Sequence, residues 1–147
     1  MQTFLPYQNF THSAKCLDRQ RLNKQRIEAW QILQAITNKD YGWQNHPAVK
    51  MWQSHPRLLC LYGLEICNEW RFARGYKDSL GDKFFKELCK YDDLWANGKY
   101  LEELPIWWNN EDFYSSHRAA LLYKKYEHYV QFGWKEEPKY DYVWPVQ

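Results

Sequence analysis

From Ala14 to Ile36 the apolar residues recur at the spacing of one helix face, and four polar residues stand in the middle of that same face. At about 100° per residue, Ala14, Leu22, Ala29, Ile32, Leu33 and Ile36 fall together, while Arg19, Gln20, Asn23, Gln31 and Gln34 fall opposite. This is the layout of a helix with one side on a core. Asp18, Arg21, Gln25 and Glu28 interrupt it as a single row within the apolar stripe, with Lys24 at its edge. A buried polar group left unsatisfied costs about 1–3 kcal/mol, and a charge costs more. The row therefore either satisfies itself as a structural network or faces a cleft. Asp18–Arg21 and Lys24–Glu28 also have the spacing of ordinary surface pairs, worth only about 0.3–0.5 kcal/mol each. A cleft at the N-terminal half is the expected outcome, because the same face is plainly core one turn later.

The rest of the chain reads as further helices. Residues 2–10 contain Pro6 and read as extended, and Thr11 or Ser13 is the expected cap of a first helix running to about Ile36. Pro47 and Pro56 sit where first-turn prolines belong. The first opens a short helix to Trp52, and the second a long one to about Arg74, closed by Gly75. Leu59, Tyr62, Gly63, Ile66, Trp70 and Ala73 form the core stripe of that long helix, with Gly63 leaving room for a close neighbour. A further helix is expected over Asp82–Tyr91. A last one, capped by Ser115 or Ser116, is expected to reach Phe132 before Gly133, burying Ala119, Leu122, Tyr123, Tyr126 and Val130. The tail from Lys135 reads as extended, and no run of strands is visible. The expected fold is all-α: a single compact domain over residues 1–147, of three long helices with short extra helices and extended termini.

Composition excludes several classes. With 45% hydrophobic and 26% charged residues the chain is not a disordered one, and no apolar run approaches membrane-spanning length. Cys16, Cys60, Cys67 and Cys89 form no CxxC and no Cys/His cluster of zinc spacing. A glycine-rich phosphate loop is missing too, so neither a metal nor an organic cofactor is expected. Nothing at the start reads as a signal segment. The expected place is the cytoplasm, of a bacterium or of a host cell if the protein is phage-encoded, and the expected state is a monomer. Net charge is only +2, yet between Met1 and Glu28 five cations (Lys15, Arg19, Arg21, Lys24, Arg26) meet two anions. That excess suits a phosphate-bearing partner, or a solvated helix face. Aromatic residues reach 19%, enough for a large core and for stacking on bases as well.

The polar row has the composition of a site. A carboxylate beside cations suits general acid–base work, Arg and Gln grip phosphates and base edges, and an amine can attack a sugar carbon. Two amines are at hand: Lys24 and the N-terminus. An α-amine has a reference pKa more than about two units below that of Lys, so more of it is free base at neutral pH. Gln2 is bulky, which normally leaves Met1 in place. Met1, Lys24, Glu28 and Asp18 are thus the candidate catalytic residues. The candidate residues for binding a phosphate-bearing partner, which the resemblance described below makes DNA, are Arg21, Gln25, Arg26, His46, His117, Arg118 and Trp144. His46 and His55 each precede a proline, where helix capping is the plainer role. His117–Arg118 near a helix start suits an anion, and is a common surface pattern as well; His12 and His128 read as surface residues. In the tail, Lys139, Tyr140, Tyr142 and Trp144 interleave basic and aromatic groups, either to stack on a base or to anchor the chain end.

QTFLPY (Gln2 to Tyr7), LDRQRLNKQRIEA (Leu17 to Ala29), NHPAVKMW (Asn45 to Trp52), YGLEICNEW (Tyr62 to Trp70), SHRAALL (Ser116 to Leu122) and YVWP (Tyr142 to Pro145) follow one another along the chain. With these segments the chain resembles the pyrimidine-dimer DNA glycosylase family, the phage-type endonuclease V group, in its divergent bacterial and phage branch. The resemblance implies an all-α domain that acts on double-stranded DNA in base-excision repair. In such enzymes a free N-terminal amine attacks C1′ of the damaged nucleotide, an imine forms, the base is released, and β-elimination cuts the strand. A glutamate on the first helix assists, arginines beside it hold the DNA, and the partner base is flipped out of the duplex. An ungapped match sets Arg21 on a family arginine and Leu22 where the glutamate belongs, so Asp18 or Glu28 has to substitute. The expected function is a DNA glycosylase and AP lyase for a damaged or modified pyrimidine. The alternatives are a DNA-binding module that kept the fold without the chemistry, and a protein–protein adaptor.

Overall fold

The computed structural model describes residues 1–145. Its elements are α1 (Phe10–Cys16), α2 (Arg19–Thr37), α3 (Pro47–Lys50), α4 (Pro56–Asn68), α5 (Leu80–Ala96), α6 (Glu111–Lys124) and α7 (Tyr126–Tyr129). A π-helical turn, Glu69–Ala73, prolongs α4, and a 3₁₀ turn, Val130–Phe132, comes after α7. No strand occurs among the described residues. The architecture is all-α, as the periodicities predict.

The first expected helix is in fact two. Asn9 caps α1 by accepting from the His12 N–H, and the chain is extended at Leu17 and Asp18 before α2 begins. Asp18 caps α2, its carboxylate accepting from the Arg21 N–H at 3.4 Å. A capping side chain turns back over the first turn of its helix, which takes Asp18 out of the row it would join in an unbroken helix. The loose carbonyls at the end of α1 are met by Arg74, whose Nη2 donates to Ala14, Lys15 and, at 2.6 Å, Leu17. Arg74 is delivered there by the π turn, whose wider coil shifts the register of the residues at its end. The same shift rotates Ala73 out to the surface, although the helical stripe predicts it inside.

The apolar face of α4 is covered by α2 on one side and α5 on the other. Gly63 is where α5 comes closest: a Cβ there would sit on the ring of Phe84. Helix α5 extends beyond the expected span at both ends and buries only Gly81, Phe84 and Leu88, a narrow stripe with the rest in solvent. Helix α6 starts early, at the Asn110 cap, so Ser115 and Ser116 lie inside it. It stops at Lys124 because Lys125 leaves the helical region (φ −153°, ψ 72°). Beyond that break the helical phase is lost. Tyr126 and Val130, expected in the core, are exposed, and so is Tyr123 on the turn before it. The tail runs back along α6, held by the Lys139 N–H on the Ala119 carbonyl (3.1 Å) and the Val143 N–H on Ser116 Oγ (3.0 Å).

Candidate active site

Residues 2–7 belong to no helix, so their backbone groups need other partners. Each available N–H finds a side chain. Gln2 donates to Glu28 Oε2 (3.1 Å), Thr3 to the Oε1 of Gln2 (2.9 Å), Phe4 to Gln25 Oε1 (2.9 Å), Leu5 to His117 Nδ1 (2.9 Å) and Tyr7 to Ser13 Oγ (3.1 Å). The carbonyls are matched likewise. Gln25 Nε2 donates to Gln2 O, the Tyr62 hydroxyl to Phe4 O, and Arg118 Nη1 to Pro6 O, each at 2.8 Å. Trp52 Nε1 adds a bond to Thr3 Oγ1 at 2.9 Å. Side chains of α2, α4 and α6 thus do for this segment what neighbouring strands do in a sheet. The chain start is fixed in the core rather than trailing from it.

The fixed segment ends at Met1, in a cleft of about 570 Å³. Helix α2 lines it with Arg21, Lys24, Gln25 and Glu28; His46 enters from the start of α3, and Lys124 from the end of α6. Tyr142 and Trp144 of the tail close one side. The Gln2 nitrogen is 3.1 Å from Glu28, and one residue of chain spans at most about 3.6 Å, so the Met1 amine lies within about 7 Å of that carboxylate. Neither Lys24, Lys124 nor Glu28 is tied up in an ion pair among the described residues. The cations are crowded: burial and then the charges of Arg21 and Lys24 push the Lys124 ammonium below its usual range, with Glu28 pulling the other way. His46 caps α3 by accepting the Ala48 N–H on Nδ1 at 3.0 Å, which leaves the proton of its neutral ring on Nε2. Burial, and then the charge of the N-terminal amine, push its pKa down.

A model of the pyrimidine dimer DNA glycosylase family matches residues 1–84, more than half of the chain. The chain belongs to that family. No curated protein and no solved structure matches it. The family match takes in Met1, the row on α2 and His46. Lys124, Tyr142 and Trp144 lie beyond it, as do the SHRAALL and YVWP segments.

The geometry of this family member redistributes the residues singled out in the sequence. Met1, Arg21, Lys24, Gln25, Glu28, His46 and Trp144 meet in the cleft. Asp18 does not. It is buried under Tyr129, whose hydroxyl donates to it, while Arg21 lies 3.3 Å away. Burial alone would raise its carboxyl, but the bonds from Tyr129 and Arg21 and the Arg21 charge outweigh that and hold it below the usual range. As a cap and hub, Asp18 has no open side toward a substrate. Arg26 leaves the cleft as well: it pairs with Asp78, bonds Asn23 Oδ1, and lies over the Trp70 ring at 5.1 Å. His117 is fully buried among Phe4, Phe113 and Tyr142. It sits well inside α6 because the helix starts at Glu111, so it holds Leu5 instead of facing DNA. Arg118 is committed to Glu111, Glu136 and the Pro6 carbonyl. Leu22, where the ungapped match puts the glutamate, is fully buried. Lys124 carries no signal in the local sequence; only the tertiary arrangement that brings the end of α6 to the cleft places it near Lys24.

No helix among the described residues is long and apolar enough to cross a membrane, and none of their His, Cys, Asp and Glu side chains form a group of three or more suited to a metal ion.

Proposed function

We propose that the protein is a DNA glycosylase with an AP lyase step, acting on a damaged or modified pyrimidine in double-stranded DNA. The Met1 amine is the nucleophile and Glu28 handles the protons. The observation that carries this reading is the bond from the Gln2 N–H to Glu28 at the end of a chain start anchored residue by residue. An amine held within about 7 Å of a carboxylate is close enough to exchange protons with it through a short water bridge. In the first step the amine lone pair forms a bond to C1′ and the bond from C1′ to the base breaks. The electron pair leaves with the base, and the proton lost by the amine passes to Glu28 and on to the leaving base. The nitrogen lone pair then forms a second bond to C1′ as the C1′–O4′ bond breaks, with Glu28 protonating O4′. The resulting iminium acidifies C2′–H, removal of that proton expels the 3′ phosphate, and water then releases Met1 from the sugar. Arg21, Lys24 and Lys124 hold the flanking phosphates. His46, with Nε2–H free to donate, and Trp144 face the base. The cleft is complete in one chain, so the protein acts as a monomer, and its substrate places it in the cytoplasm. Residues 85–145 complete the same domain, since the cleft needs their Lys124 and Trp144.

Lys24 is the second amine in the cleft, and borohydride trapping separates the two. Duplexes carrying a pyrimidine dimer, an abasic site or a modified pyrimidine are incubated with protein and borohydride, and the adduct is mapped by mass spectrometry. The expected adduct is on the Met1 amine, survives Lys24→Ala, and is lost when the amine is blocked. An adduct on Lys24 alone overturns the assignment of the nucleophile. Salt-dependent binding with no adduct on any duplex leaves a DNA-binding module, and no binding at all leaves the adaptor.

A further inference from the structure

A second groove lies on the other side of the first turns of α2. It has about the same volume as the cleft, 570 Å³, and is lined by Arg19, Gln20, Asn23, Trp70, Tyr76 and Lys125. Gln20 lines both depressions, so α2 forms the ridge between them. The end of α6 straddles this ridge: Lys124 reaches into the cleft and Lys125 into the groove. The change of direction at Lys125 sends these neighbouring side chains to opposite sides. Arg19 and Lys125 make no ion pair among the described residues. The groove also has an aromatic wall. Tyr76 is stacked on Trp70 with ring centroids 4.3 Å apart. Trp70 is buried and backed by Arg26, whereas Tyr76 is 38% exposed, so the outer face of its ring is open.

We propose that this groove binds the DNA strand where it leaves the cleft, with Arg19 and Lys125 on its phosphates and a base against Tyr76. The inference rests on the glycosylase reading of the cleft and adds a second contact region outside it. Unpaired cations beside an open aromatic face are the chemistry that holds a nucleic-acid strand without reading its sequence. Continuity across Gln20 and the paired lysines ties the groove to the cleft. The ridge sets the spacing. A helix with its side chains is about 10–12 Å across, and a DNA strand carries one phosphate per about 3.4 Å. The groove therefore engages the strand about three nucleotides from the target, on one side only.

The test uses the full chain and duplexes carrying a tetrahydrofuran abasic analogue, trimmed progressively from one end or the other. For the wild type, trimming to within about three nucleotides of the analogue on one side weakens binding about tenfold, and the same trimming on the other side has a smaller effect. The double variant Arg19→Ala/Lys125→Ala binds the long duplex about tenfold more weakly, its slope of log affinity against log salt is smaller by about two, and it no longer responds to that trimming. Tyr76→Leu weakens binding severalfold without altering the salt slope. Single-turnover cleavage at saturating DNA is unchanged in each, because none of these residues lines the cleft. Variants that match the wild type across the duplex series overturn the groove while leaving the glycosylase reading intact. A wild type that binds no duplex at all removes both.

Discussion

The backbone N–H of Gln2 donates to Oε2 of Glu28 at 3.1 Å, and the same oxygen lies 3.3 Å from Gln25 Nε2. Among the described residues, Oε1 of Glu28 accepts no hydrogen bond. One oxygen of the carboxylate thus ties down the chain start while the other is left for the substrate. Glu28→Gln keeps an acceptor for the Gln2 N–H and removes only the proton-carrying group. Strand cleavage in single turnover is expected to drop by about 10²–10⁴-fold, with DNA affinity and melting temperature near those of the wild type. Full activity in this variant would show that Glu28 is only an anchor.

Gln25 is the other half of that anchor. Its Oε1 takes the Phe4 N–H and lies 2.7 Å from the Tyr62 hydroxyl, and its Nε2 serves the Gln2 carbonyl. Gln25→Leu fills a similar volume but strands several buried polar groups, each costing about 1–3 kcal/mol. Chemical denaturation is expected to show a loss of about 3 kcal/mol or more, and hydrogen exchange at residues 2–5 is expected to speed up. A loss below about 1 kcal/mol would mean that water replaces the amide without difficulty.

His117 makes stability depend on pH. Burial first, and the neighbouring Arg118 charge second, push its pKa from 6.5 down to about 3. The unfolded chain then binds a proton that the folded chain refuses, so stability falls as the pH drops from about 6.5 toward 3, and this contribution is absent above that window. Asp18, held below its ordinary 3.8, also loses stability toward acid, but that loss starts only as the pH approaches 3.8. His117→Gln keeps an acceptor for the Leu5 N–H and removes the titrating ring. Melting temperatures of this variant should be flatter than those of the wild type between pH 6.5 and 4.5, which lies inside the His117 window. Parallel curves would assign the acid sensitivity to another group.

Trp144 is half-buried in the cleft wall, with His46 edge-on at 6.2 Å and Tyr142 at 5.6 Å. The tail is held by the backbone bonds of Lys139 and Val143, neither of which uses this ring. Trp144→Ala is therefore expected to weaken DNA binding about tenfold, the effect of losing one base–aromatic stack, with little change in melting temperature. The reverse pattern, a lower melting temperature and unchanged binding by the folded fraction, would make the ring a chain-end anchor.

Periodicity alone showed that α2 and α4 exist, which faces of their shared central stretches meet the core, and that Arg21, Gln25 and Glu28 share a stripe too polar to be covered by apolar packing. The break before α2 and the π turn after α4 were not visible in it. Pro47 and Pro56 fixed two helix starts, and Gly63 marked a point of close approach by a neighbouring helix, because these residues act through local backbone geometry. The tertiary structure decided what each polar group is for. Asp18 became a cap because the chain breaks at Leu17, a break stabilised by Arg74 from the far end of α4. Gln25 became the partner of an extended segment and His117 a buried acceptor, since the first residues of the chain lie between α2 and α6. Lys124 and Trp144 joined Glu28 through packing alone. Helical spacing states which side of an element avoids water, but the partner that covers that side is set by how distant segments share one core, and that information is spread over the whole chain.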